Sequence, residues 1–167
     1  HWRFVHIGGG NGDKYKLLAT ELGIAGQCDW QGPRDQKEVI AACQSSDLFV
    51  LASRVEKDGD RDGLPNVLME AQLCGLAVVS TAISAIPELI TDGLNGKLVA
   101  ERDPNSLSAA MAELIADPAL RDQMGRKGNE IVRRDFSFYT GMKELAHRFG
   151  GDQLTSSTTT AQQPAAE

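Results

Sequence analysis

Asp62 and Glu70 lie eight residues apart and bracket Gly63-Leu64-Pro65. Gly63 turns the chain, and Pro65 suits the first turn of a helix that runs through Cys74 and stops at Gly75. The N–H groups that open such a helix have no intrahelical acceptor and sit at the positive end of its dipole. A phosphate fits there. Carboxylates only accept hydrogen bonds, so Asp62 just before the helix and Glu70 about two turns inside it suit donors such as the hydroxyls of a ribose and a sugar. Spacing alone also allows a plainer assignment, with Asp62 an acid favoured by the dipole and Glu70 a solvated helix residue.

A second loop with chemical potential is Gly8-Gly9-Gly10-Asn11-Gly12. The dinucleotide fingerprint G-x-G-x-x-G fits Gly8 and Gly10 but meets Asp13 at its third glycine, and an acid facing a pyrophosphate is unfavourable. A tight turn requiring positive φ explains the glycines better, while still letting a nucleotide approach the backbone closely. Asp58-Gly-Asp60-Arg-Asp62-Gly63 resembles the start of an EF-hand loop. Its twelfth position is Met69, however, with Glu70 one residue late, and a strand precedes it where a helix is needed. A solvated acidic loop is the better reading. Arg54, Lys57 and Arg61 in this loop have the chemistry to meet a phosphate, but solvated loop charges are the default reading. His1, His6 and His147 have no ligand spacing, and His6 reads as a packed strand residue. Cys28, Cys43 and Cys74 are odd in number and far apart, so neither a disulfide framework nor a zinc knuckle follows. Cys43 and Cys74 read as small buried hydrophobes on helix faces. No metal is expected.

These loops need strands and helices to hold them. Trp2 to Ile7 reads as a buried strand, 13–22 as a helix stopped by Gly23, and Cys28 to Trp30 as a short strand closed by Gly32-Pro33. Val39, Ile40 and Cys43 mark the buried side of a helix, and Asp47 to Leu51 is a strand feeding the acidic loop. After the helix from Pro65 come a strand at Ala77 to Ser80, a short helix at Glu88 to Ile90 and a strand at Gly96 to Val99. Asp103-Pro104 and Asp117-Pro118 each pair an N-cap with proline at the first helical position. The second of these helices runs toward Arg134, and a last one spans Ser137 to Phe149. Residues 150–167 hold one large aliphatic, Leu154, too little apolar surface to offset ordering entropy, so a disordered tail is expected. Strands with continuous apolar runs, alternating with helices, predict an α/β domain over 1–149: a parallel sheet with helices on both faces. Ligands of such sheets bind beyond the carboxyl ends of the strands, where both loops fall.

With 41% hydrophobic and 24% charged residues among 167, the composition is that of a globular chain, not a fibrous or wholly disordered one. Lys plus Arg number 17 against 23 Asp plus Glu, a net charge of −6 that supplies no basic face for nucleic acid. No run approaches a membrane span, no signal-peptide pattern is visible, and the cysteine usage predicts a reducing, cytoplasmic location.

Asp62-Gly-Leu-Pro65 with Glu70 resembles the signature of the retaining glycosyltransferases of GT-B fold, family four: an acidic residue, Gly, any residue, Pro, and a second Glu eight residues after the first. Phe4 to Gly10 resembles that family's I-V-G-x-G strand and loop. Trp30-Gln31-Gly32 is similar to its F-L-G, Ser46 to Leu51 to A-D-V-F-V-L, Ala77 to Thr81 to P-V-V-A-T, and Asp92 to Val99 to D-G-x-N-G-x-L-V. The ordered set covers about 2–149. It implies a Rossmann-like half of a GT-B fold, cut after its first strand, that binds the nucleotide-diphosphate sugar donor without metal or other cofactor. It also implies that an N-terminal acceptor domain of the same parent chain, and a basic pair upstream of Trp2, complete the enzyme. The isolated chain would then be inactive, and the parent would make a polysaccharide, lipopolysaccharide or glycolipid, peripheral to the inner face of a membrane. Glu70 would hold the ribose hydroxyls and Asp62 the donor sugar. Gly8, Gly9, Gly10, Gln31 and Gly32 would line the nucleotide, with Gly63, Leu64 and Pro65 at the diphosphate. Asp62 replaces the commoner Glu and reaches one methylene less far, and Ser84-Ala85 stands where many members have Gly-Gly. A nucleotide-sugar epimerase half, a non-catalytic nucleotide-binding module and a calcium-binding module are the rival readings.

Overall fold

A computed structural model describes residues 2–10, 12–55 and 63–136. Asp58, Asp60 and Asp62, the helix expected at Ser137 to Phe149 and the expected tail therefore lie outside the described residues. Among the described residues, five strands and six α-helices follow in near alternation: β1 (Phe4–Ile7), α1 (Gly12–Glu21), β2 (Cys28–Gly32), α2 (Gln36–Gln44), β3 (Leu48–Leu51), α3 (Asn66–Leu73), β4 (Ala77–Thr81), α4 (Ile86–Leu89), β5 (Lys97–Val99), α5 (Pro104–Ala116) and α6 (Pro118–Asp135).

Every ladder is parallel, as continuous apolar strands require. The pairing falls into two sheets, β1-β2 and β3-β4-β5, where one sheet was expected. β4 is the structural centre. All five of its residues are buried, Val78 facing a core of α3 and α4 side chains (Leu68, Ala71, Ile86, Leu89), and Ala77 and Val79 facing one with Ala110, Leu114 and Met124. Two apolar faces on one strand mean helices on both sides, which is the α/β doubly covered arrangement. The N-terminal unit is different. Trp2 is exposed and lies outside β1, and Phe4 and Val5 within β1 are exposed as well, contrary to the buried strand expected from Trp2 to Ile7. His6 is half-buried against the Trp30 ring, 5.3 Å between centroids.

Helix starts follow the cap chemistry. Asp35, Asp103 and Asp117 each accept a backbone N–H from three residues on, and at α2 Glu38 returns the bond to complete a capping box. A buried amide pair ties α3 to the turn after α4. Gln72 donates to the Asn95 carbonyl at 2.9 Å, and Asn95 donates to the Leu89 carbonyl at 2.9 Å while accepting from the Thr91 N–H at 2.7 Å.

Candidate donor-binding site at the strand ends

The glycine loop leaves β1 and is fastened to the end of β2. The Gly8 N–H donates to the Gly32 carbonyl at 2.9 Å, and the ladder shifts register between His6 and Ile7 so that Ile7 faces Gly32. Gly8 and Gly10 have φ of 147° and 101°, values that side chains rarely adopt, as the tight-turn reading requires. The loop is thus a bare backbone surface at the carboxyl ends of two parallel strands, with Gly9 beside the Pro33 ring. Gln31 is half-buried, and its amide donates to Asp29 Oδ2 at 3.0 Å. That bond above all, with the Arg3 guanidinium 2.6 Å away, holds the Asp29 carboxyl below the ordinary carboxylate range. The Gln31 side chain therefore turns to its own strand.

α3 begins one residue later than the proline pattern suggests. Pro65 is its N-cap, at φ −63° and ψ 121°, and contributes no capping side-chain bond. The first-turn N–H groups of α3 thus differ from those of α2, α5 and α6, which an Asp side chain caps. Leu64 packs on the core and fixes the approach of this turn. The Gly63 carbonyl accepts the Ala85 N–H at 3.1 Å, which fastens the turn after β4 beside the start of α3. Ser84 holds φ 50° in that turn, the left-handed region that a glycine would occupy without strain. The Ser84-Ala85 departure is thereby accommodated in the backbone, with the Ala85 N–H committed to Gly63.

Glu70 is half-buried in α3, and Gln36, the first residue of α2, donates to its Oε1 at 2.7 Å. Gln36 lies four residues after Gly32, the partner of Gly8, so the α2 start brings the carboxylate to the same end of the strands as the glycine loop. The negative field of Glu70 also reaches inward. Burial pushes the Cys43 thiol up to about 11, with Cys74 and Glu70 adding to the effect, and the Cys74 thiol is raised by burial and by Glu70. The buried reading therefore holds for Cys43 in α2, whereas Cys74, the C-cap of α3, is half-buried against the same core.

The structure thus joins Gly8 with Gly32, Gly63 with Ala85, and Glu70 with Gln36. Asp62 lies outside the described residues. Sequence reasoning did not single out Gln36, and it named Ala85 only as part of the departure from Gly-Gly. The Asp35-x-x-Glu38 capping box marks where α2 starts and so could have pointed to Gln36, whereas no sequence signal foretells the Ala85–Gly63 bond. Among the described residues, no group of three or more His, Cys, Asp or Glu is placed to hold a metal ion.

The family model described as glycosyl transferases group 1 matches residues 1–131. The chain belongs to this family. It is 38% identical over 134 residues to a putative colanic acid biosynthesis glycosyltransferase, WcaL, of Salmonella typhimurium, covering 80% of this chain and 33% of that protein. It is 41% identical over 115 residues to the amylovoran biosynthesis glycosyltransferase AmsK of Erwinia amylovora, covering 69% of this chain and 28% of that protein. The family member thus spans about a third of the length of these relatives. Its fold is similar to that of Anabaena HepE solved with UDP-glucose, at a TM-score of 0.72 and 21% identity over 89% of this chain and 40% of HepE. It is also similar to the C-terminal domain of the glycosyl transferase group 1 protein LpcC of Francisella tularensis, at a TM-score of 0.67 and 23% identity, covering 76% of this chain and 63% of that domain. The Rossmann-like α/β reading stands, within glycosyltransferases of GT-B fold. Among the described residues, no helix is long and apolar enough to cross a membrane.

Proposed function

We propose that this chain is the donor-binding half of a retaining glycosyltransferase that uses a nucleotide-diphosphate sugar to build a bacterial-type surface polysaccharide. The observation that carries the reading is the placement of the Glu70 carboxylate: half-buried, fastened by Gln36, and one helix start away from the Gly8–Gly32 contact. An acceptor-only group beside bare glycine backbone suits a nucleoside, the base lying along the loop and the ribose hydroxyls donating to Glu70. The start of α3, with the Gly63 and Leu64 amides, is the anion end of the site. As the bond from sugar to diphosphate breaks, charge grows on the leaving phosphate, and fixed N–H groups stabilise it without reorganising. Asp62, four residues before the start of α3 in the sequence, would accept from the sugar hydroxyls. The acceptor substrate belongs to the N-terminal domain of the parent protein, so the isolated chain binds a donor and transfers nothing. Relatives named for colanic acid and amylovoran biosynthesis support the polysaccharide assignment.

Calorimetry with UDP, GDP and ADP and their sugars tests this reading. One nucleotide should bind with Kd below ~10 mM, weaker than about −3 kcal/mol being outside a useful site. Asp62→Ala should weaken the nucleotide-sugar more than the bare nucleotide. Absence of binding by all six ligands, or turnover by the isolated chain, contradicts it.

A further inference from the structure

The chain that leaves β3 is still held after its backbone ladder ends. β3 stops at Leu51, paired with Ser80, and β4 stops at Thr81, while the next residue, Ala82, donates to the Val99 carbonyl of β5. Side chains then take over as partners. Ser80 Oγ donates to the Leu51 carbonyl at 2.8 Å, Thr81 Oγ1 to the Ser53 carbonyl at 2.6 Å and the Arg102 guanidinium to the Val55 carbonyl at 3.2 Å. Carbonyls two residues apart face the same edge of an extended chain, so these three bonds continue one edge of β3. Val55 is gripped twice, because its N–H also donates to Glu101 Oε2 at 3.1 Å. Ser80 and Thr81 are buried, and their hydroxyls must find partners inside the protein. Glu101 is only half-buried and Arg102 is exposed, so water could have satisfied both.

The backbone behind this grip is strained. Arg102 has φ 60°, and among the described residues the one other non-glycine at positive φ is Ser84, at 50°. Both lie in turns that anchor the same stretch of chain. The Ser84 turn holds the Gly63 carbonyl through the Ala85 N–H, and the Arg102 turn holds Val55. Between these two anchors lie seven residues, 56–62, of which the last is Asp62. Strain of this kind persists only where the surroundings enforce it, and it gathers at binding and catalytic sites. The Arg102 turn is fixed on both sides: β5 ends at Val99, and Asp103 caps α5 by accepting the Ser106 N–H at 3.0 Å.

We propose that Glu101 and Arg102 are positioning residues of the donor site, resting on the assignment of Asp62 to the sugar hydroxyls. Their grip on Val55 sets where the chain departs toward Asp62. It thereby raises affinity for the sugar part of the donor and not for the nucleotide, which Glu70 and the glycine loop serve. A chain held in advance has less freedom to lose when a ligand arrives than one the ligand must order.

The test takes, for each variant, the sugar preference: the Kd of the best-bound nucleotide divided by the Kd of its sugar conjugate, from calorimetry. Melting temperature and the rate of trypsin cleavage after Lys57 and Arg61 are followed beside it. Arg102→Gly removes the guanidinium and also the strain, since glycine takes φ 60° freely. Its melting temperature should hold or rise, while its sugar preference falls at least about threefold and its cleavage quickens. A merely structural role would not separate these readouts. Glu101→Ala should lower the sugar preference in the same way, and Glu101→Gln, which keeps an oxygen for the Val55 N–H, should restore it. Asp62→Ala is the reference. If it lowers the sugar preference and neither Arg102→Gly nor Glu101→Ala does, the proposal is overturned while the donor site stands, whether or not cleavage quickens. If Asp62→Ala leaves the preference unchanged, or no nucleotide binds, the assignment of Asp62 falls and the proposal falls with it.

Discussion

Ser84 shows how a single residue carries the geometry of this site. Its φ of 50° costs an ordinary side chain about 1–2 kcal/mol, while glycine there would lose about 0.5–1 kcal/mol in backbone entropy. Ser84→Gly should therefore raise stability by about 0.5 kcal/mol, and Ser84→Val should lower it by more than ~1 kcal/mol, as read by urea denaturation. A destabilised glycine variant would mean that the hydroxyl, not the backbone, matters. Cys43 makes a separate prediction. Burial holds its thiol protonated to about 11, so iodoacetamide at pH 8 should label Cys28 well before Cys43. Because the folded form keeps its proton longer than the unfolded chain, with an ordinary value near 9, this thiol's contribution to stability is complete below pH 9. It is lost as pH rises toward 11. Equal labelling of the two cysteines in the folded protein would show Cys43 to be reachable and ionisable.

At the scale of elements, α6 is the clamp. It packs on α3 and β4 and places Gly125 against the turn between them, where an added Cβ would meet the Gly75 carbonyl oxygen. Backbone on backbone leaves nothing flexible to move. Gly125→Ala should cost at least ~3 kcal/mol, more than the usual range for a single substitution, and lower the melting temperature by many degrees. A loss under ~1 kcal/mol would mean that α6 shifts freely on α3. The elements were also the most legible part of the sequence. Asp-Pro pairs start α5 and α6, Val39, Ile40 and Cys43 mark the inward side of α2, and apolar runs give β3 and β4, because these signals act within one turn or one strand. The exposure of Trp2, Leu17 and Leu22 was not legible, since the pattern of a helix or strand states which face is apolar and not whether anything covers it.

For the molecule as a whole, the spacing of Asp62 and Glu70 pointed to a phosphate and hydroxyl site, and the resemblance gave it a family that the match over 1–131 bears out. The spacing could not show that the Glu70 carboxylate is held by α2, a residue pair 34 positions apart in the chain. Nor could it show that the Ser84 turn is fastened to Gly63. Such contacts are set by how the strands order themselves, and the same ordering leaves β1 and β3 with open edges.

The central claim is that Glu70 receives a ribose at the end of the parallel strands. Titration calorimetry of the best-bound nucleotide against the unaltered chain, Glu70→Ala and Glu70→Gln tests it most directly. Hydrogen bonds to a charged group contribute on the order of 1.5–3 kcal/mol, so Glu70→Ala should weaken binding at least about tenfold. Glu70→Gln, which keeps the shape but not the charge, should fall between. The 2′,3′-dideoxy nucleotide, lacking both donors, should bind the unaltered chain and Glu70→Ala alike. Undiminished binding by Glu70→Ala would contradict the assignment of the site.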